Sequence, residues 1–492
     1  MDVKLTLMPQ KPIRREIFNF KDIAAQQRFK NLTSKTKDFT SCFVDKLPLT
    51  KQIENSRKVL KSSFRKSFKK IRIKNHLKIK PLNPTISKLI DQRNLLLKKK
   101  EDSKKVSELN KEISEMEAED NRNKIIENFK KFSANPENIN LSQMWKTLKK
   151  LWPKCGPTLP TAKKNHRGKI VTGPNELKKL LAKEYKELIR SRPIRPDFLE
   201  NENLKNLIFE MKIKLAQAHC SPDWNISDLE KALGDLKRNK SRDFEGLINE
   251  IFKLDVIGDD LKNSLLLMFN NLRRKQLIAD FMNFANITTV HKKGSKLLLS
   301  NDRGIFRVSV IRFILMRLIY NSKYPEIDLN ISDCQVGARK GKNCKTNIFI
   351  INGIIHDVCK SKRKKPVVLQ IYDYAQMFDS INLKKAVSDI YDAGLQDDNL
   401  VLLHEANKNV NMAVNTPSGI SERQIIKNNV LQGDTFGSLM ASVQVDTIGK
   451  ACVDSGFGYK YKDSLVVSLL GMVDDMIGGW VQSPENECLD KH

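Results

Sequence analysis

Two apolar runs near the C-terminal end of this 492-residue chain each finish on aspartate, and together they limit the fold more than any other feature. Residues 366–372 (PVVLQIY) suit a pleated surface covered on both faces, which predicts a buried strand with Asp373 at its end. Beyond Ser380, the residues Ile381, Leu383, Ala386, Val387 and Ile390 recur at helical spacing, and Gly394 is placed to stop that helix. Asp373 therefore either stands at a strand-to-helix junction, where sheets present catalytic groups, or caps the helix that follows. Residues 465–473 (LVVSLLGMV) predict a second buried strand and residues 476–481 a third, with Asp474 and Asp475 at the turn between them. Aspartate at a hairpin tip is ordinary turn chemistry. Two adjacent carboxylates between apolar strands are less ordinary, because they repel unless a cation sits there. Mg²⁺ is held by one or two carboxylates plus substrate phosphates, which suits aspartates brought together from two strands. Side chains alternate along a strand, so one member of the pair shares the face of Asp373, and Asp474 is the choice.

Charge narrows the partners. Lys and Arg number 88 against 57 acidic residues, a formal net charge of +31, which favours a polyanion, with phosphates first and an anionic membrane surface second. Residues 51–80 hold twelve Lys and Arg against one acidic residue, Glu54, with Leu60, Phe64, Phe68 and Ile71 at helical spacing. That is a basic amphipathic helix, suited to nucleic acid, a membrane surface or a helix-binding partner; nucleic acid is the preferred reading. Helical spacing continues from Asn83 to Phe132, as a locally packed hairpin, and residues 145–168 read as a linker. The eight cysteines show no Cys-x-x-Cys pair and no matching His spacing, so no zinc site or disulfide framework is expected, and a reducing, intracellular compartment is. No run of eighteen apolar residues occurs, so no membrane association is expected.

The ordered set Asp373-Tyr-Ala-Gln-Met-Phe-Asp379, Gln432-Gly433-Asp434 and Asp474-Asp475 resembles the polymerase motifs of reverse transcriptases, in particular those of non-LTR (LINE-type) retrotransposons. The resemblance extends upstream through Lys240-Ser-x-Asp243-x-x-Gly246, the basic turn His291-Lys-Lys-Gly294 with Asn301-Asp-Arg303, and Asp333-Cys-Gln335-Val-Gly337-Ala-Arg339. It implies that Asp373 and Asp474 carry two Mg²⁺ ions, with Mn²⁺ as an alternative, and that Asp475 supports them. It also implies that Phe378 presses on the sugar to exclude a 2′-hydroxyl, and that Gln432 and Gly433 line the nucleotide and template pocket. Arg303 would grip the incoming triphosphate with Lys293 assisting, since Arg offers a planar fork and Lys a point charge. Gln335 and Arg339 would touch the template. Where the family has an aromatic residue two positions before the Asp pair, this chain has Met472.

The implied fold is α+β: right-hand polymerase fingers and palm, an antiparallel sheet with packed helices, preceded by a basic, mostly helical N-terminal region. The expected divisions are 1–165 (basic, RNA-binding), 166–220 (connector helices), 221–365 (fingers) and 366–492 (incomplete palm). The endonuclease and thumb of the family are expected to be missing. The expected activity is RNA-directed DNA polymerisation, adding deoxynucleotides to a primer 3′-hydroxyl. Its partners would be an RNA template, a DNA primer, dNTPs and the element's own RNA as a ribonucleoprotein, in the nucleus or cytoplasm. The alternative is a catalytically inactive retroelement remnant that only binds nucleic acid.

Overall fold

The computed structural model describes residues 17–18, 20, 22–34, 49–68, 70–71, 159–189, 199–292, 294–360, 367–374, 377–427, 430–431, 433–456, 458–461, 465–467, 469–473 and 475–481, with scattered positions between 85 and 127. The chain is a mixed α+β protein. It separates into two compact units, one of residues 1–14, 18–70 and 157–492, the other of residues 15–17 and 71–156. In the smaller unit the described positions between 85 and 127 are helical, and Ile113 is buried.

The larger unit opens with helices α1 (Ile23–Ser34) and α2 (Leu49–Ser67). Ile53, Leu60 and Phe64 of α2 join Phe29 of α1 and Phe68 in the same core that holds helices far along the chain. The Phe68 ring lies 5.8 Å from that of Phe29 and 5.6 Å from that of Phe64. Arg57 pairs with Glu245 at 3.1 Å and lies over the Phe281 ring. The basic stretch 51–80 thus becomes helix only as far as Ser67, Lys70–Ile71 is extended, and residues 72–80 lie outside the described residues. Its apolar stripe, which a membrane or a partner helix would have used, is filled by the unit's own core, while Lys51, Lys58, Arg65 and Lys66 stay exposed.

The stretch read as a linker runs into an antiparallel hairpin, β1 (Lys163–Lys164) and β2 (Ile170–Val171), whose second strand lies past its end. Helices α3 (Pro174–Leu188), α4 (Leu199–Ala218), α5 (Ile226–Gly234) and α6 (Asp259–Arg274) follow; α5 starts on a capping box between Asn225 and Asp228. Strands β3 (Phe284–His291) and β4 (Asp302–Arg307) precede α7 (Val310–Leu329) and α8 (Cys344–Lys360). Then come β5 (Val367–Asp373), α9 (Met377–Ser380), α10 (Leu383–Asp392), α11 (Asp398–Asn407) and β6 (Val410–Thr416). The rest is β7 (Gly419–Ile420), β8 (Gln424–Ile426), α12 (Gly437–Asp454), β9 (Tyr459–Tyr461), β10 (Leu465–Val467), β11 (Leu469–Met472) and β12 (Asp475–Val481).

Two sheets matter for the site. The first has the order β8-β6-β3-β4 with β7 beside β6; β3 and β4 are antiparallel, β3 and β6 parallel. Leu177, Leu181 and Tyr185 of α3 pack with Ile287, Phe306 and Val414 of this sheet. The second is antiparallel, β11-β12-β5. Helix α10 buries Leu383, Ala386, Val387 and Ile390, the residues whose spacing predicts it, and ends ahead of Gly394. The apolar run 465–473 is not one strand but two: β10 pairs with β9, and β11 with β12. Among the described residues no helix is long and apolar enough to cross a membrane.

Inside the unit a cation is fully enclosed. The Arg312 guanidinium, 0% exposed, donates to Asp434 at 2.8 and 3.1 Å, to Asn407 at 3.1 Å, to the Met282 carbonyl at 3.3 Å and to the Ala406 carbonyl. Removing one partner of such a pair strands a buried charge, so Asp434→Ala should destabilise the protein by about 3–5 kcal/mol. Urea unfolding checks it; a loss near that of an exposed control such as Asp392→Ala would show that the remaining acceptors suffice for Arg312.

Asp243 is a second buried acid. Its carboxylate accepts from the N–H groups of Glu245 and Leu247, both at 2.9 Å, and of Val310 at 3.2 Å, which ties the 243–247 turn to the start of α7. Burial pushes the carboxyl up to about 6, against the pull of those three N–H groups toward the charged form. The folded protein then holds a proton that the unfolded chain, at its ordinary 3.8, has released. Stability should therefore fall as pH rises from about 4 to about 6. Asp243→Asn keeps the acceptor oxygen and loses the titration. Urea unfolding measured from pH 4 to pH 7 should show the wild type losing about 2 kcal/mol relative to the variant. A difference that stays constant with pH would mean that Asp243 is ionised throughout.

Candidate active site

The second sheet brings two of the expected carboxylates together. Strands β5 and β12 pair so that Asp373 lies directly opposite Asp475, Tyr372 opposite Met476 and Ile371 opposite Ile477. Opposed residues of an antiparallel pair share a face, with Cβ atoms roughly 4.5–5.5 Å apart. Tyr372 and Met476 pack on the main core. Alternation therefore puts Asp373 and Asp475 on the other, open face with Ile371, which is 74% exposed. Both aspartates are exposed, and neither forms a salt bridge among the described residues. Two like charges directly opposite are destabilising without a counterion. A pair of carboxylates open to a ligand that supplies phosphate oxygens is the donor set Mg²⁺ takes. The described residues contain no group of three His, Cys, Asp or Glu that could hold a metal ion; Asp474, the residue chosen from the sequence, lies outside them.

The turn that carries the pair is strained. Met472 is the partner of Asp475, so β11 passes to β12 through a tight turn that begins at Val473. Val473 has φ 61°, and it is the β-branched member of the positive-φ residues other than glycine. Such turns favour Asn and Gly because they need φ > 0, whereas a β-branched side chain there costs about 1–3 kcal/mol and persists only where the surroundings impose it.

Those surroundings are the segment 334–337. The Val336 N–H donates to the Gly471 carbonyl and the Gly471 N–H to the Cys334 carbonyl, each at 2.9 Å, so the segment lies along β11 as an extra edge. The side chain of Gln335, only 2% exposed, closes on the turn: Oε1 accepts from Val473 N–H at 3.1 Å and from Gly337 N–H at 2.8 Å. Asn347 of α8 donates to the Gly471 carbonyl at 3.1 Å, and Ser442 of α12 to the Gly337 carbonyl at 3.0 Å. Arg339 is buried as well, donating to Asp328 at 2.7 Å and to the Ser332 and Gln335 carbonyls at 2.6 and 3.1 Å. Gln335 and Arg339, expected to meet the template, here spend their polar groups on the chain itself and hold the carboxylate turn. The partner of Gln335 on the turn, Val473, lies 138 positions away, whereas those of Arg339 are within eleven.

The other expected residues divide between the sheets. Phe378 is half-buried and packs against the main core just past the Asp373 strand. Arg303 is exposed on β4, opposite Val290. Gly433 has φ 110°, and a Cβ there would lie 2.9 Å from the Phe306 carbonyl, so the loop before α12 presses on β4, three residues from Arg303. Lys293 and Gln432 lie outside the described residues. Sequence reading missed the buried pair of Arg312 with Asp434. The signal was available: Arg312 sits in the apolar run VIRFILM (310–316), and Asp434 adjoins Gly433.

A scan against protein-family models and a search of curated proteins found no match to this chain.

The packing of the turn is testable at Gly337, where a Cβ would fall 2.2 Å from the Val473 backbone nitrogen, a neighbour that cannot move aside alone. Gly337→Ala should cost about 1–3 kcal/mol and disturb the carboxylate turn. Gly353→Ala, in α8 with open space around it, should be neutral or stabilise slightly. Equal thermal midpoints for the two variants would show that 337 and 473 do not touch in this way.

Proposed function

We propose that this chain is an RNA-directed DNA polymerase whose site is built on the open face of β5 and β12, with the sheet as palm and the β3–β4 hairpin as part of the fingers. The observation that carries this reading is the register that sets Asp373 opposite Asp475 on an exposed face, at a turn held in a strained conformation by buried groups. The ordered motifs and the charge of +31 support it. Asp373 and Asp475, with Asp474 between the strands, would hold Mg²⁺. Bound there, the ions would lower the pKa of a primer 3′-hydroxyl and neutralise the leaving pyrophosphate.

The chain's own residues then have simple tasks. Phosphoryl transfer needs aligned oxygens and neutralised charge, with little covalent chemistry from the protein. The carboxylate turn supplies a fixed position, because Gln335 and Gly337 leave Val473 one conformation. Exposed Arg303 offers a planar fork for phosphate oxygens. Phe378, braced on the core, is assigned to the sugar of the incoming nucleotide, where its bulk would oppose a 2′-hydroxyl. Gly433, close against β4, lets the loop beside that nucleotide approach the strand.

Primer extension on an RNA template with dNTPs and Mg²⁺ tests the proposal. Asp373→Asn and Asp475→Asn should each lower extension by at least about a hundredfold while RNA affinity changes less than about twofold, since binding comes from cations and chemistry from the carboxylates. Extension by both variants at the wild-type rate would overturn the assignment. RNA binding with no extension by the wild-type protein would favour the inactive remnant.

A further inference from the structure

The docked hairpin β1–β2 has no task in the polymerase chemistry. Lys163, 3% exposed, points inward: its Nζ donates to the Lys296 carbonyl at 2.8 Å and the Leu298 carbonyl at 3.4 Å, and it forms a salt bridge with Asp302, itself buried beside His291. The Lys164 N–H donates to the Leu297 carbonyl at 2.8 Å, and Val171 packs on the core of the first sheet. The hairpin is thus fixed through β1 against the turn joining β3 to β4 and through β2 against the core of the first sheet. Its tip is folded too, since Asn165 Oδ1 accepts from the N–H groups of Arg167 and Lys169, both at 3.0 Å.

The surface so formed displays charge of one sign. Lys164, Arg167 and Lys169 are exposed on one turn and Lys292 and Lys296 on the other, next to exposed Arg303. Residues 161–171 and 291–301 contain no Asp or Glu, and no Phe, Tyr or Trp. The acid that does lie here, Asp302, is consumed by Lys163. A lone triphosphate calls for donors that converge on one point; two separately folded turns instead present a series of point charges, which suits a ligand with phosphates at intervals. The lack of aromatic side chains removes base stacking, so recognition would be independent of sequence.

We propose that Lys164, Arg167 and Lys169 on one turn and Lys292 and Lys296 on the other bind the sugar-phosphate backbone of a single-stranded polynucleotide, an inference that rests on the nucleic-acid reading and extends it to residues outside the carboxylate turn. The buried pair of Lys163 with Asp302 positions the two turns as one surface adjoining Arg303.

The test is fluorescence anisotropy with labelled oligo(U) and oligo(dT) at several salt concentrations. The variant carries Lys164→Ala, Arg167→Ala, Lys169→Ala and Lys296→Ala, all at exposed positions. The matched control carries Lys205→Ala, Lys214→Ala, Lys231→Ala and Lys237→Ala, exposed cations elsewhere on the same unit. Affinity at 0.1 M salt should drop roughly tenfold or more in the variant and little in the control. The slope of log K against log salt should flatten by about 0.7 for each phosphate that is no longer neutralised, approaching 3 for four. Oligo(U) and oligo(dT) should behave alike; weakening with oligo(U) alone would narrow the occupant to RNA. Equal weakening in variant and control, no weakening in either, or weaker binding only to anionic phospholipid vesicles would overturn the inference. If the wild-type protein bound neither oligonucleotide, the nucleic-acid reading itself would fall, an outcome separate from a wild type that binds and a variant that binds as well.

Discussion

A guanidinium cannot shed its proton in a protein interior, so wherever Arg312 is enclosed the chain must bring acceptors to it from several directions. It does: Asp434, Asn407 and the carbonyls of Met282 and Ala406 converge on α7. These groups belong to the loop before α12, the end of α11 and the approach to β3, so one side chain fixes three segments that the sequence separates widely. Burying an ion pair is a poor source of stability and a strict demand on geometry. Arg312 holds Asp434, and the neighbouring Gly433 is set against the Phe306 carbonyl of β4.

From that loop the constraint passes along α12 to the carboxylates. Ser442 and Asp446 stand one turn apart on the helix, and both hold the segment 332–337: Ser442 donates to the Gly337 carbonyl, and Asp446 accepts from the Ser332 N–H at 3.1 and 3.2 Å. That segment in turn carries Gln335, whose amide grips Val473. A β-branched residue at φ 61° would relax if it were free, and here its N–H is bonded to Gln335 while Gly337 packs against it. The strain at the turn is therefore maintained by Gln335, in a segment that Ser442 and Asp446 hold in place.

Elements with strong local signals were legible in the sequence. The strand ending at Asp373 and the helix closed by Gly394 both occur within a residue or two of the expected bounds, but the strand expected to be covered on both faces leaves Leu369 and Ile371 exposed on one of them, because an apolar run does not say which face a layer will cover. The run 465–473 failed because a continuous apolar stretch says nothing about which strand each half will pair with. The basic helix after residue 50 was legible as a helix, but not that its apolar stripe packs inside, in the same core as Phe29 and Phe281. Lys163 in a supposed linker and Gln335 in a supposed template grip share one cause. Whether a polar residue faces in or out depends on partners more than a hundred positions away, here Asp302 and Val473.

Residue type alone therefore does not separate scaffold from site. Arg312 and Arg303 differ by nine positions, and so do the chemistries open to them: the first has its donors occupied in the core, the second stands exposed on a strand edge. Asp434 and Asp475 divide in the same way, one paired with a cation at 2.8 Å, the other facing a second carboxylate on an open sheet. A fold that minimised its own energy would pair Asp373 and Asp475 with lysines, which this chain has in excess. Leaving two like charges opposed beside a strained turn, while buried glutamine is spent on holding that turn still, fits the proposed polymerase reading, in which Mg²⁺ brought with an anionic nucleotide would supply the counter-charge.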